Sequence, residues 1–256
     1  MLIMNNKSVE RELSKLINIC KANLNRTESA IEYYNSRGIS KEIIENFELG
    51  YFPGNLNRLK KYIDVDLLIS AGVIKYSGNS DFSDYYRIII PVKNECGLPV
   101  GIAGRLIMSK DERTYLKLPK YKNSIYKKSL YLYGLDLALK SIIENNEVFV
   151  VEGYFDQISM FKSGVENTVA LGGTAFSRGH LLKLSRFCNK IKFILDNDEA
   201  GINSAKSIQK KYSKYGVNMS FYLCSKEYKD VDEMIRDSQL SSLALKNKIH
   251  NNILII

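Results

Sequence analysis

The sequence predicts an α/β protein. A mostly parallel sheet with flanking helices follows a mixed α+β N-terminal part that is rich in basic residues. Three observations carry this reading. From Glu147 to Leu223, short apolar runs alternate with segments of helical spacing, the pattern of a parallel sheet with right-handed crossovers. The first three runs are almost continuously apolar, as strands covered on both faces require. Upstream, strand-like stretches on either side of a turn between Tyr86 and Met108 read as a hairpin.

Each element has its own local signal. Val9, Leu13, Leu16, Ile17 and Cys20 share one helical face, so Ser8–Lys21 reads as a helix. Thr27 is a suitable N-cap for a helix over Glu28–Ser36, and Arg37-Gly38 ends it because glycine tolerates the left-handed C-terminal conformation. Ser40 caps a short helix, Lys41–Phe47. Leu49–Gly54 reads as a turn closed by Pro53-Gly54, and Asp66–Ala71 as a helix stopped by Gly72. The hairpin strands are Tyr86–Val92 and Pro99–Met108, and Leu135–Ile143 returns to helical spacing. Strands follow at Val148–Val151, Thr168–Leu171, Lys190–Leu195 and Val217–Leu223, with helices at about Asp156–Ser163, Ser177–Phe187 and Ala200–Tyr215. The division between the parts is placed near Glu144–Glu147, which gives a basic N-terminal region 1–146, an α/β region 147–237 and a tail 238–256.

Composition excludes several classes. No apolar run is long enough to span a membrane, and Met1–Lys7 has no secretory apolar segment, so a cytoplasmic location is expected. The four cysteines are scattered without a C-x-x-C pair, and neither His180 nor His250 has a second ligand at zinc spacing. No zinc is expected in this chain, and the thiols are expected reduced and mostly buried. The net charge of +9 favours a polyanionic partner.

Acidic residues gather where strands end. The first strand runs into Glu152-Gly153-Tyr154-Phe155-Asp156, and the third into Asp196-Asn197-Asp198-Glu199-Ala200-Gly201. Asp230 and Asp232 follow the last strand. Ligands of open parallel sheets sit at the carboxyl ends of strands, so these carboxylates converge on one sheet edge. Crowded like charges imply a neutralising cation, hence a magnesium-type site and phosphoryl-transfer chemistry. Alternatively, Asp230 and Asp232 cap the short helix through Ile235. Gly172-Gly173-Thr174 lacks the lysine of a phosphate-binding loop and reads as a tight turn, and His180 as a structural contact.

Positive charge concentrates between Arg105 and Lys128, where eight basic residues face only Asp111 and Glu112. Tyr115, Tyr121 and Tyr126 are interleaved. Cations that track phosphates, mixed with rings that stack on bases, suit a single-stranded nucleic acid.

With these motifs in place, the chain resembles the catalytic core of bacterial DnaG-type DNA primases. Glu152–Asp156 resembles that family's EGYxD element, Asp196–Gly201 its DxDxAG element, and Lys229–Glu233 its KDxDE element, together the acidic motifs of a Toprim domain. Leu171–Ala175 with His180 is similar to LGTA...H, with one extra glycine. Upstream, Ser36–Ser40 with Phe47–Gly50, Arg87–Val92 with Val100–Arg105, Pro119–Ser124, and Lys128 with Leu132–Leu135 resemble primase segments in the same order. The resemblance covers about Thr27 to Arg236. Asn197 replaces the family's usual glycine. No zinc-binding or helicase-binding domain is expected in this chain, a stripped-down length compatible with a phage-encoded version acting in the cytoplasm of an infected host.

The resemblance implies metal-dependent, template-directed synthesis of short RNA primers from nucleoside triphosphates on single-stranded DNA. Glu152, Asp196 and Asp198 are expected to form the shell of two or more Mg2+ or Mn2+ ions. Asp230 and Asp232 would hold a second ion or order its waters, and Asp156 is a ligand or supports one. Arg37, Arg87, Arg105, Lys120, Tyr121, Asn123 and Lys128 would hold triphosphate and template. A replicative helicase and a separate zinc-binding template-recognition protein are the implied partners, with no membrane. The competing readings are a Toprim nuclease and a catalytically idle DNA-binding subunit of the replisome. A topoisomerase would need a tyrosine-bearing cleavage domain for which the chain has no room.

Overall fold

The computed structural model describes residues 6–224, 227–238, 244–245, 247 and 253–254. The chain divides into two compact units, Met1–Tyr126 and Lys127–Ile256.

The first unit begins with α1 (Asn6–Leu24), α2 (Glu28–Ser36) and α3 (Lys41–Asn46). After β1 (Gly50–Tyr51) come α4 (Leu56–Leu59), α5 (Val65–Ser70) and α6 (Asp81–Asp84). Then follow β2 (Ile88–Lys93), β3 (Pro99–Arg105), α7 (Lys110–Tyr115) and β4 (Tyr121–Asn123). The strands form one antiparallel sheet in the order β1-β2-β3-β4. The apolar face of α1 is buried as its spacing requires, with Leu13, Leu16, Ile17 and Cys20 packed among Phe52, Phe82, Ile89 and Ile102.

Local differences from the sequence reading have simple causes. Thr27 does occupy the N-cap of α2 but makes no capping bond, because its hydroxyl donates back to the Asn23 carbonyl at 2.8 Å. The expected turn at Leu49–Gly54 contains β1, which pairs Gly50 with Ile89 and Tyr51 with Ile88. Two residues are too few to show a period, and Gly50 is needed because a Cβ there would lie 2.6 Å from that of Cys20 on α1. The second hairpin strand ends at Arg105 rather than Met108, and the basic stretch beyond it carries α7 and β4. Ser109 starts α7 with a reciprocal capping box to Glu112.

The second unit opens on a 3-10 turn at Lys128–Leu130, then α8 (Leu135–Asn145) and β5 (Glu147–Val151). It continues with α9 (Tyr154–Lys162), β6 (Thr168–Ala170), α10 (Arg178–Leu184) and β7 (Lys190–Leu195). It ends with α11 (Glu199–Tyr212), β8 (Asn218–Leu223), α12 (Val231–Ser238) and β9 (Ile253–Leu254). The sheet order is β6-β5-β7-β8-β9, parallel except for β9. By compactness the units divide before α8, whose Leu135, Ala138 and Ile142 belong to the same core as Val148, Val150 and Phe193, whereas the sequence reading places the division near Glu144–Glu147. Within the tail, Ile253 and Leu254 extend the sheet beside β8, and residues 255–256 lie outside the described residues. Among the described residues no helix is long and apolar enough to cross a membrane.

Candidate active site

In the second unit β5 and β7 are neighbours, and the chain leaves β5 towards β6 on one side and leaves β7 towards β8 on the other. Carboxyl ends of strands at such a switch point are where open α/β sheets bind ligands. Glu152 follows β5 and Asp196 follows β7 at this edge. They meet: the Asp196 backbone N–H donates to Glu152 Oε1 at 3.3 Å. Asp198 is the N-cap of α11 and accepts from the Gly201 N–H at 2.8 Å. Asp230 accepts from the Glu233 N–H at 2.9 Å at the start of α12. The capping expected of this region as the alternative to ligation is therefore present for Asp230.

Asp156 is buried and joins two of the acidic motifs. One oxygen accepts from the Gly153 N–H at 2.9 Å, the other from the Asp232 N–H at 3.0 Å. Burial pushes its carboxyl up to about 8, the Asp230 charge adds to this, the Asp232 N–H opposes it, and Asp196 and Asp232 raise it further. Glu152 is also raised, first by burial, with the Asp196 N–H opposing and the Asp198 charge reinforcing the rise. All six expected acids therefore belong to one electrostatic neighbourhood.

Two residues of this network escaped the sequence reading. Ser159 Oγ donates to Asp232 Oδ1 at 2.6 Å, and Arg236 Nε lies 3.3 Å from Asp232 Oδ2. Both oxygens of the buried Asp232 are thus engaged by α9 and α12. The Arg236 contact was legible as an i,i+4 pair, whereas no local signal links Ser159 to a residue so distant in the chain. Close packing explains two motif glycines. A Cβ on Gly201 would lie 2.1 Å from the Asp196 carbonyl oxygen, and one on Gly153 would lie 2.5 Å from Asp156 Oδ2.

Lys128 reaches the same strand ends. Its Nζ donates to the Gly172 carbonyl at 3.4 Å, and the Gly172 N–H donates to the Glu152 carbonyl at 3.1 Å. Burial lowers the Lys128 ammonium from its ordinary range. His180 Nδ1 accepts from the Ser177 N–H at 3.3 Å, which leaves the proton on Nε2, 2.8 Å from the Lys128 carbonyl oxygen. His180 is therefore structural, as expected, and it fixes the segment that presents Lys128. Gly172 and Gly173 both have positive φ, at 63° and 79°, and form the tight turn.

In the first unit most of the expected phosphate- and template-binding residues form a cation–aromatic group. Arg37 and Arg105 each place a guanidinium 5.9 Å from the Tyr33 ring centre. Arg105 Nη1 donates to the Tyr121 hydroxyl at 2.6 Å, and Lys120 Nζ lies 5.7 Å from the Tyr121 ring. Asn123 accepts from the Tyr126 hydroxyl at 3.3 Å on the edge strand β4. Arg87 stands over a different ring, that of Tyr51 at 4.2 Å, with Nε donating to the Phe52 carbonyl. Not all the basic stretch is available to a ligand, because Lys122 is ion-paired with Asp81.

The acids suit an oxygen-ligated divalent ion chemically, since a cation would offset the burial and the neighbouring negative charges that together raise Glu152 and Asp156. Among the described residues no group of three or more His, Cys, Asp and Glu side chains is gathered closely enough to hold a metal ion. Asp156, Asp198 and Asp230 each accept from a backbone N–H group at a helix start, and for Asp198 and Asp230 that bond uses one carboxylate oxygen, Oδ1.

Two family descriptions match the chain in succession. "DNA primase catalytic core, N-terminal domain" matches residues 19–139, and "Toprim-like" matches residues 149–235. The DNA primase of Borreliella burgdorferi is 34% identical over 219 residues, covering 81% of this chain and 41% of that protein. The DNA primase of Aquifex aeolicus is 31% identical over 244 residues, covering 92% of this chain and 48% of that protein. The chain thus spans less than half the length of these relatives. The structure of the zinc-binding and RNA polymerase domains of Aquifex aeolicus primase matches with a TM-score of 0.84 at 28% identity, covering 98% of this chain and 63% of that one. A DnaG primase catalytic domain bound to ssDNA matches with a TM-score of 0.81 at 26% identity, covering 96% and 81%. The chain belongs to the DnaG-type primase family, of which it carries the N-terminal domain of the catalytic core and the Toprim domain.

Proposed function

We propose that this chain is the polymerising core of a primase, joining ribonucleoside triphosphates into short RNA on a single-stranded DNA template. The observation that carries this is the meeting of Glu152 and Asp196 at the β5/β7 switch point, with Asp198, Asp230 and Lys128 on the same unit. Glu152, Asp196 and Asp198 are the residues to hold Mg2+ or Mn2+, with Asp230 adding a further oxygen. Bound divalent ions supply charge neutralisation of the triphosphate and a lowered pKa for the attacking hydroxyl. Asp156 and Asp232 are positioning residues in this reading, because both oxygens of each are engaged by α9, α12 or the β5 turn.

Lys128 offers a fixed cation to phosphate oxygens, and its depressed ammonium reflects a partly desolvated site where charge acts strongly. Arg37, Arg105, Lys120, Tyr121 and Asn123 provide cations and a ring to a template strand, and Arg87 provides a further cation. That a relative's structure holds ssDNA supports the template assignment. A zinc-binding domain stands beside the polymerase domain in another relative, which supports template choice by a zinc-binding module. A replicative helicase is the further partner of this reading.

The test is primer synthesis by purified protein on defined single-stranded templates, with Mg2+ or Mn2+ and all four ribonucleotides. Template-dependent dinucleotides and short RNA are expected, with the labelled template intact. Template cleavage without RNA would favour a nuclease, and binding with neither product would favour an idle subunit.

A further inference from the structure

The first unit carries a cleft whose lining residues have no part in the roles above. It lies between one face of α1 and the segment from Pro53 through α4 to Tyr62, and encloses about 340 Å³. That is the lower end of the range for small-molecule sites. Both walls are built alike. Ile19 and Leu59 give an apolar lining, Asn23 and Asn55 an amide each, and Arg26 and Arg58 a guanidinium each, at helical spacing along the two segments.

Among the described residues no acidic side chain lines the cleft. Arg26 and Arg58 are exposed, and among the described residues neither side chain has a hydrogen-bond or ion-pair partner. Asn23 uses its amide nitrogen on the Tyr51 carbonyl, which leaves its oxygen uncommitted. Tyr62, 63% exposed, stands at the rim with its ring open to stacking. A third guanidinium backs the wall, since Arg87 lies 3.6 Å from where a Cβ on Gly54 would sit. An apolar slot with an aromatic rim and paired free guanidiniums matches a planar base attached to a phosphate.

We propose that this cleft binds one nucleotide unit, its base against Ile19, Leu59 and Pro53 beside Tyr62 and its phosphate on Arg26 and Arg58. A free nucleoside triphosphate and one link of a single DNA strand share that chemistry. The site lies wholly in the first unit, so binding there does not require the acids of the second unit to be catalytic.

The experiment uses the full chain in EDTA, which removes metal-bridged binding at the acids. Binding of ATP is followed by calorimetry and binding of fluorescent oligo-dT by anisotropy. The Arg26→Gln/Arg58→Gln variant is compared with a control of equal charge loss, Lys41→Gln/Lys140→Gln. Melting temperatures verify that both variants fold. At least one ligand should weaken about tenfold or more in the arginine variant, and about twofold or less in the control. Loss for oligo-dT alone assigns the site to a strand, and loss for ATP alone to a free nucleotide. Loss for both assigns it to the unit they share. Unchanged binding of both ligands, or equal weakening in both variants, overturns the proposal.

Discussion

Asp196 and Ser159 sit within one network but predict opposite phenotypes. Asp196→Ala should reduce primer synthesis at least about a hundredfold while the melting temperature stays near wild type, because in the proposed function this half-buried acid meets a cation. Ser159→Ala should instead lower stability by about 1–3 kcal/mol in denaturant titration, since it removes a donor from the buried Asp232 carboxylate. Elsewhere, Glu12 is buried and accepts from Lys15 at 2.8 Å, the Asp64 N–H at 3.0 Å and Arg11 at 3.1 Å. Burial raises its carboxyl, but these partners outweigh it and hold the group below its ordinary 4.5. The ionised form therefore adds stability above 4.5, and that stability is lost as pH falls through the lowered folded value. Glu12→Gln should flatten the stability–pH curve in that acidic window and leave its neutral limb parallel to wild type.

Helix starts act as the handles of the site. The N-termini of α9, α11 and α12 each receive a carboxylate, from Asp156, Asp198 and Asp230 respectively. The backbone thereby aims three acidic motifs using groups the helices would otherwise leave unpaired. Gly201→Ala tests how tightly α11 is seated. Its Cβ would meet the Asp196 carbonyl at 2.1 Å, so the helix must shift. A loss of about 1–3 kcal/mol in thermal or chemical unfolding is expected, with a larger proportional loss of primer synthesis. Elements with long periodic patterns, α1, α8 and the strands β5 and β7, were legible because their burial repeats along the chain. The short β1, α4, α6 and β4 were not, since two to four residues show no period and tertiary pairing alone makes them regular.

Each unit has a core of its own, one around Leu16, Phe52 and Phe82, the other around Val150, Phe193 and Phe221. A fragment of residues 127–256 should therefore melt cooperatively by circular dichroism, whereas a fragment starting at 147 should not, because it loses Leu135, Ala138 and Ile142 from its core. With a net charge of +9, the DNA binding proposed for this chain should be salt-dependent. The affinity for oligo-dT should fall steeply and log-linearly with salt, with a slope smaller by about one for each phosphate-contacting cation removed.

From the sequence alone came the α/β class, the parallel strands and their helices, the family, and the identity of the acids, because apolar period and short motifs are local properties of a chain. Only the tertiary structure decided that β5 and β7 are neighbours, that Asp156 bridges two motifs, and that Ser159 holds Asp232. It also placed α8 and Lys128 with the second unit. The reason is physical: which strand lies beside which, and which buried carboxylate finds which donor, is settled by packing between segments far apart in the chain, and no local pattern encodes that pairing.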